Sequence, residues 1–239
     1  MARKRVRSAV DDFFKFPSTP HLGVLGANEI RADKCLTPTE RHAFLSHNLV
    51  VEEKVDGANL GISFDARGNV VFQNRGGLIL EPYGGQWKGL GNWIARYVDG
   101  LFDMLGDRLI LFGEWCYARH SISYTKLPDW FLAFDVYDRQ RKRFFSVARR
   151  DAIVSAVGLT SVARVGVGRY TYDQLAGLSF ISHFGTEPAE GLYFRVEDED
   201  WLVDRAKLVR ARFRQAIEEH WTRNGLVANR LLSMSRVVV

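Results

Sequence analysis

The residues with the most chemistry in this chain stand together in Val51-Glu52-Glu53-Lys54-Val55-Asp56-Gly57-Ala58-Asn59. The apolar residues leading in and the Asp-Gly step predict a strand that ends in a turn. Alternate side chains of a strand share a face, so Glu52, Lys54 and Asp56 project together. Gly57 then permits the sharp turn that holds the lysine at the strand end. A lysine amine is a nitrogen nucleophile once deprotonated. With a pKa near 10.4, however, only about one in 2,500 is neutral at pH 7. Carboxylates on the same face oppose deprotonation, because negative charge favours the ammonium. Compensating positive charge is needed before Lys54 can attack anything. The plainer reading is a surface strand meeting an ordinary Asp-Gly turn, and Lys-x-Asp-Gly alone is too short to decide.

Further groups follow at intervals: Phe112-Gly113-Glu114, Phe131-Leu132-Ala133-Phe134-Asp135, Glu190-Gly191-Leu192-Tyr193 and Arg205-Ala206-Lys207-Leu208. Glu114 falls between Phe112 and Trp115 on an apolar strand, where a carboxylate without a partner is costly. It is therefore expected to have one. Asp56 and Glu190 offer hard oxygen atoms suited to magnesium, directly or through retained water. If Arg205 and Lys207 lie on a strand, they share one face; otherwise they form a solvated basic edge. Cys116 reads as a small packed hydrophobe. The six histidines have no metal-ligand spacing, and His21 reads as structural. A GxxxxGK[ST] phosphate loop and a recognisable Ser-His triad are both lacking.

The elements that must position these groups begin after an irregular opening, Phe16 to Leu22, whose two prolines exclude a helix. Strands are predicted at Leu49–Val55, Leu60–Phe64 and Val70–Asn74, the last two joined by a turn at Ala66–Asn69. A helix is predicted over Trp87–Leu105, with Trp93, Ile94, Tyr97, Val98, Leu101, Phe102 and Leu105 on one stripe. Strands follow at Leu109–Tyr117 and Trp130–Tyr137, then a helix over Ser146–Val157 with Ser146 as its cap. A short helix is expected at Tyr172–Leu178, and strands at Gly191–Val196 and Ala206–Val209. Ala211–Met234 reads as mostly helical with a break at Asn224-Gly225. Strands grouped first, with helices inserted, give an α+β class.

With 239 residues, 46% hydrophobic, 26% charged and a net charge of +5, the chain is globular and modestly basic, which suits a phosphate-rich partner. Cys35 and Cys116 form no CxxC pair, so neither a disulfide framework nor a cysteine zinc site is expected. The longest apolar runs fall far short of a membrane span, and no signal peptide is read at the start. The composition predicts a soluble, cytoplasmic protein with no membrane partner.

The order and spacing of the five motifs resemble the covalent nucleotidyltransferases, namely the ATP-dependent DNA and RNA ligases and the mRNA capping enzymes. Lys54-Val55-Asp56-Gly57 looks like motif I, Gly113-Glu114 like motif III, the Phe131–Asp135 strand like motif IIIa, Glu190-Gly191 like motif IV and Arg205-Ala206-Lys207 like motif V. Asn59, Arg75 and the Phe16–Leu22 opening look most like the RNA ligase 2 branch. The resemblance implies a nucleotidyltransferase fold, ATP-grasp-like, of antiparallel sheets flanked by helices. One adenylyltransferase domain over 1–239 is expected, with a short helical extension from about 211. Only about thirty residues follow motif V, so no appended OB-fold is expected.

The same resemblance implies that Lys54 is the nucleophile, that Asp56 and Glu190 hold Mg2+ or Mn2+, and that Lys207 joins the catalytic set. The bound nucleotide would meet Asn59, Arg75, Glu114 at the ribose, Phe134 on the base (with Phe131 as its rival) and Arg205 with Lys207 on the triphosphate. Glu52 or Glu53 would read the purine's exocyclic amine. Arg205 departs from the family's lysine: its charge is kept, but it cannot donate a proton at neutral pH. The implied activity is an ATP-dependent RNA ligase, with ATP as AMP donor, joining a 3′-hydroxyl to a 5′-phosphate through a lysyl-AMP enzyme and an adenylylated RNA end. The expected partners are RNA ends or a nicked RNA-containing duplex, with Arg210 and Arg214 on its phosphates and a protein partner to supply further affinity. The alternatives are a DNA ligase, a GTP-dependent capping-type enzyme, or a non-catalytic nucleic-acid-binding module.

Overall fold

The structure, a computed structural model, describes residues 13–25, 32–210 and 226–232. The predicted first strand forms as β1 (Leu49–Lys54), and the chain returns as β2 (Ala58–Phe64). These two strands do not pair. β1 lies in a four-stranded antiparallel sheet between β9 (Arg164–Gly168) and β10 (Gly191–Glu197), with β11 (Leu202–Val209) outermost. β2 lies in a second sheet, ordered β4 (Leu78–Ile79), β3 (Val70–Gln73), β2, β5 (Leu109–Trp115), β6 (Phe131–Asp138) and β7 (Arg143–Phe144). One strand, β8 (Thr160–Ser161), adds to β6 in parallel. The Asp56-Gly57 turn therefore carries the chain from one sheet to the other. A Cβ on Gly57 would meet the Trp115 carbonyl oxygen at 2.9 Å, so the crossing is tight enough to require glycine.

Each sheet has its own core. Under the first, Leu49, Val51, Leu192, Phe194, Ala206 and Leu208 meet Phe44 of α1 (Pro38–Leu45) and Leu175 of α5 (Tyr172–Ala176). Under the second, Ile62, Phe64, Leu111 and Phe131 meet α2 (Leu90–Ile94), α3 (Val98–Leu105) and α4 (Val147–Val157) through Trp93, Leu101, Leu105, Ile153 and Val154. The α+β class is as the sequence predicts. Among the described residues no helix is long and apolar enough to cross a membrane.

Several elements differ from the sequence reading, each for a local reason. The predicted Trp87–Leu105 helix is broken into α2 and α3, and the break falls where the Trp93 indole and Tyr97 hydroxyl both donate to Asp129, at 2.8 and 2.5 Å. Phe102, placed on its buried stripe, is 45% exposed. Ser146 occupies the N-cap position of α4 without capping by its side chain: its Oγ donates to the Glu199 carbonyl, while Glu197 accepts from Val147 N–H. The predicted helix fails over 226–232, which is extended and bridges Ala118 and Leu127 through Ala228 and Leu231. The rest of that prediction, from 211 to 225 and beyond 232, lies outside the described residues. Unanticipated are α1, whose Thr37-Pro38-Thr39-Glu40 start forms a capping box, and β9, whose alternating glycines mute the strand signal.

Behind β1 the two sheets are joined by buried charge. Arg195 of β10 donates to Asp135 of β6 at 2.6 Å and to Glu197 at 2.5 Å, and to the Phe145 carbonyl at 2.9 Å. Arg150 of α4 donates to Glu52 of β1 at 2.7 Å and to the Phe134 carbonyl at 2.9 Å. Both guanidiniums are almost wholly buried, and every nitrogen of each makes at least one hydrogen bond. Removing one partner of such a network strands a charge in the interior, at about 3–5 kcal/mol. Arg195→Ala should therefore lower unfolding free energy by about that amount in urea titration. A loss under ~1 kcal/mol would mean that the network contributes little to joining the sheets.

Candidate active site

Antiparallel pairing of β1 with β10 sets Lys54 opposite Gly191. Gly191 must be glycine, because a Cβ there would lie 2.1 Å from the Leu208 carbonyl oxygen of β11. That close register brings Glu190, one residue earlier, to Lys54: the ammonium Nζ donates to Glu190 Oε2 at 2.6 Å. Burial pushes the Lys54 pKa down, but Glu190, Glu114 and Asp56 outweigh it and hold the ammonium above its ordinary value. Burial raises Glu190 to about 7 even though Lys54 opposes the shift. Glu114 is likewise raised by burial to about 7, against the pull of Lys54 and Arg75. Three carboxylates thus crowd one lysine: Asp56 as the sequence predicts, and Glu190 and Glu114 where Glu52 was expected, Glu52 being paired with Arg150.

Asp56 lies just past the end of β1, close enough to Lys54 to act on its charge, and its carboxylate is held by backbone. Oδ2 accepts from Ser121 N–H at 2.7 Å and Ile122 N–H at 3.1 Å, while Asp56 N–H donates to Tyr124 Oη at 2.7 Å. His120 stands 3.9 Å from Asp56 Oδ1 and 3.1 Å from Gln86 Oε1. The loop between β5 and β6 therefore fixes the orientation of this carboxylate.

A pocket opens beside Lys54, walled by Phe16, Phe134, Val162 and Tyr193, with Thr19, Glu52, Arg75, Glu114 and Lys207 around it. A bulge in β6 explains Phe134: Gly113 pairs with Ala133 while Phe112 pairs with Asp135, leaving Phe134 as the extra residue. Such a bulge re-aims a side chain: Phe134 lines the pocket, whereas its rival Phe131 packs into the core against Trp93. The irregular opening runs beside β11, with Leu22 N–H on the Lys207 carbonyl and Lys207 N–H on the Pro20 carbonyl, at 2.8 and 3.0 Å. It brings Phe16 and Thr19 to the pocket; they and Tyr193 are wall residues within segments noted in the sequence but given no role there.

Several polar atoms facing this region are buried without hydrogen-bond partners: Glu52 Oε2, Glu114 Oε2, and both Oδ1 and Nδ2 of Asn59. Asn59 and Glu114 face each other across β2 and β5 and line an adjoining polar cleft with Arg75, Gln86, Trp87 and His120. Lys54 and Arg75 lie near Glu114, but among the described residues none gives Glu114 Oε2 a hydrogen bond. Unsatisfied polar atoms of this kind call for an explanation, and a polar ligand is one.

Four expectations need correction or restriction. Of Glu52 and Glu53, only Glu52 keeps an open oxygen, because Glu53 accepts from Ser182 Oγ at 2.5 Å and from His183 N–H and Nδ1, both at 2.9 Å. Arg205 shares a strand face with Lys207 but is committed to Asp135 at 3.2 Å, its guanidinium over the Phe16 and Phe144 rings. The compensating charge at the pocket is that of Arg75 and Lys207. Arg210, expected on RNA phosphates, donates instead to the carbonyls of Ala189 and Pro188 and so braces the segment carrying Glu190. Arg214 lies outside the described residues. His21 is buried beside β11 and Cys116 is packed, as expected. Among the described residues no three His, Cys, Asp or Glu side chains gather as a metal cage.

The family model described as RNA ligase matches residues 47–209. No match is found among curated protein sequences. Solved structures of Naegleria gruberi RNA ligase are similar in fold. A point mutant with ATP and Mn is 18% identical at a TM-score of 0.60, the match covering 87% of this chain and 58% of that one. A mutant with AMP and Mn is 16% identical at 0.58, with the same coverage. An apo mutant is 20% identical at 0.57, covering 75% and 53%. This chain thus spans little more than half the length of these ligases.

The raised pKa of Glu114 has a consequence for stability. A carboxyl whose folded pKa lies near 7 against an unfolded value of 4.5 loses stability as pH rises between the two, because the folded state holds the proton more tightly. Glu114→Gln, which cannot ionise, should therefore gain on the order of 2–3 kcal/mol over the parent at pH 8. The difference should vanish near pH 4.5. Melting curves across pH check this, and a gap independent of pH would refute the assignment.

Proposed function

This chain belongs to the RNA ligase family, and on that premise we propose that it is an ATP-dependent RNA ligase working through a lysyl-AMP intermediate on Lys54. The observation that carries the proposal is the set of buried, unpartnered acceptors and donors of Glu52, Asn59 and Glu114 around a lysine at the mouth of an aromatic pocket. A nucleotide matches this set group by group. Phe134, Phe16, Val162 and Tyr193 give apolar walls for a base, and Glu52 Oε2 is an acceptor for the exocyclic amine of adenine. Glu114 and Asn59 suit ribose hydroxyls, while Arg75 and Lys207 supply positive charge for phosphates. Arg205 is assigned a supporting part, holding Asp135 and Phe16 behind the pocket.

In the first step the Lys54 proton leaves along the 2.6 Å hydrogen bond to Glu190 Oε2, a carboxylate whose pKa near 7 suits it to accept one. Lys54 Nζ bonds to the α-phosphorus, the bond to the bridging β-phosphate oxygen breaks, and pyrophosphate departs. In the second step an oxygen of an RNA 5′-phosphate displaces lysine from the same phosphorus. In the third an RNA 3′-hydroxyl attacks the 5′-phosphorus, AMP leaves, and the hydroxyl proton passes to solvent. Asp56 and Glu190 would hold Mg2+ or Mn2+ through one or two carboxylate oxygens and retained waters, a donor set that fits these ions. When bound, that ion supplies the positive charge that lowers the Lys54 pKa and offsets the triphosphate.

Incubation with labelled ATP and Mg2+ or Mn2+, followed by a denaturing gel, should label the protein at Lys54. Lys54→Ala should take no label, and the bond should be acid-labile and alkali-stable. Labelling from GTP alone would favour a capping-type enzyme, and labelling of Lys54→Ala would remove the nucleophile assignment. Sealing of RNA ends should fall steeply with salt, by a log–log slope of about −0.7 to −0.9 per phosphate contact. Self-adenylylation, which involves only a small ligand in the pocket, should fall much less. Parallel loss of both would place the salt effect at the nucleotide.

A further inference from the structure

We propose that Asn229, far from the motifs in sequence, is a positioning residue that sets the Asp56 carboxylate through the loop between β5 and β6. The proposal rests on the reading of Asp56 given above. The side-chain amide of Asn229 is buried, and all three of its hydrogen bonds go to backbone of that one loop. Oδ1 accepts from Tyr124 N–H at 2.9 Å, and Nδ2 donates to the carbonyls of Cys116 at 2.8 Å and Ala118 at 3.3 Å. Asn229 N–H also donates to the Tyr117 carbonyl at 2.9 Å. The pattern admits an amide and nothing else of its size. An aspartate would set an anion against two carbonyls, and a leucine would leave three buried backbone groups unpaired.

What Asn229 holds is the loop that holds Asp56. Between the two anchored ends, Cys116–Ala118 and Tyr124, lie Ser121 and Ile122, whose N–H groups both donate to Asp56 Oδ2. Tyr124 itself presents the Oη that accepts from Asp56 N–H. The neighbouring residues of the 226–232 segment extend the brace: Arg119 N–H meets the Val227 carbonyl at 2.8 Å, and Arg230 N–H meets the Tyr124 carbonyl at 2.9 Å. Elsewhere the loop backbone is held by Cys116 N–H on the Trp130 carbonyl, by Ser123 N–H on Glu187, and by Thr125 and Lys126 N–H on the Phe184 carbonyl, none of them at Ser121 or Ile122. An amide that fastens both ends of a catalytic loop does for Asp56 what an outer partner does for a metal ligand. Removing such partners typically reduces affinity or activity about 10- to 100-fold.

The test uses the full chain and two readouts, hydrogen exchange and single-turnover adenylylation with Mn2+. In Asn229→Ala the Ser121 and Ile122 amides should exchange at least about tenfold faster, and lysyl-AMP formation should slow about 10- to 100-fold with a higher half-saturating Mn2+. Asn229→Ala combined with Asp56→Asn should be no slower than Asp56→Asn alone, since both act at one carboxylate. Thr37→Ala, which uncaps α1 away from this loop, controls for lost stability and should leave the Mn2+ response unchanged. Additive losses, or unchanged exchange at Ser121 and Ile122, overturn the proposal while leaving the reading of Asp56 intact. A silent Asp56→Asn overturns both. If Asn229→Ala does not fold, Asn229→Asp, of the same size, keeps the acceptor for Tyr124 N–H, loses the donor to Cys116 and Ala118, and carries the same test, with the same outcomes deciding.

Discussion

The site depends on one crossing. Lys54 ends a strand of the first sheet, Ala58 begins a strand of the second, and the residues between them have no room to wander. Gly57 lies against the Trp115 carbonyl, and Gly191, opposite Lys54, lies against the Leu208 carbonyl. Two close backbone approaches thus pin the lysine between sheets. The first sheet then delivers Glu190 and Lys207, and the second delivers Glu114, Asn59 and Phe134. No single sheet could supply both sets, because each presents its side chains along its own strands.

That placement is electrostatically uneven, and the unevenness is distributed with some order. Behind β1, Arg150 and Arg195 meet Glu52, Asp135 and Glu197 in close pairs, so the charges joining the sheets are largely balanced. In front of it, Glu190, Glu114 and Asp56 surround Lys54, and two of the carboxyls are held near 7 by burial. The network behind has the character of a fastening, with donors and acceptors matched. The cluster in front is unmatched, with more carboxyls than cations close to Lys54. Perturbed carboxyls beside a lysine in a pocket are what a site tuned for proton movement looks like. Glu52 links the two regions: it lines the pocket, one oxygen accepts from Arg150, and the other lies 3.8 Å from Arg195 without a hydrogen bond among the described residues.

Motif residues and long strands were readable from the sequence because their chemistry and period are local. Lys54, Glu114, Glu190 and Lys207 come together as the family resemblance implies, and β1, β2, β5, β6 and β10 form close to their expected bounds. Side-chain commitments were not readable. Arg205 has the right face and the right charge, yet Asp135 takes it, and Asp135 looks in sequence like one more residue of an apolar strand. Glu53 and Glu52 are adjacent and alike, and only the tertiary positions of Ser182, His183 and Arg150 tell them apart. The bulge that turns Phe134 towards the pocket depends on β5 and leaves no mark in β6 alone. Two-residue strands such as β4, β7 and β8 are below the length at which a period can be seen.

The residues that brace the site share a feature that explains both their invisibility and the low identity to ligases of similar fold. Arg210 holds the carbonyls of Pro188 and Ala189, and Asn229 holds those of Cys116 and Ala118. Their partners are backbone groups, which every residue carries, so the contact restricts one side chain and leaves its partner's identity free. Most of the architecture is fixed in the same way, by strand register and by close approaches at glycine. A site built on backbone partners tolerates wide change in the surrounding sequence while its geometry stays put. That is consistent with a shared fold at 16–20% identity to the Naegleria gruberi enzymes. It also locates the sequence information of such a site: in the few side chains that line the pocket, and in the few that hold the loops carrying them.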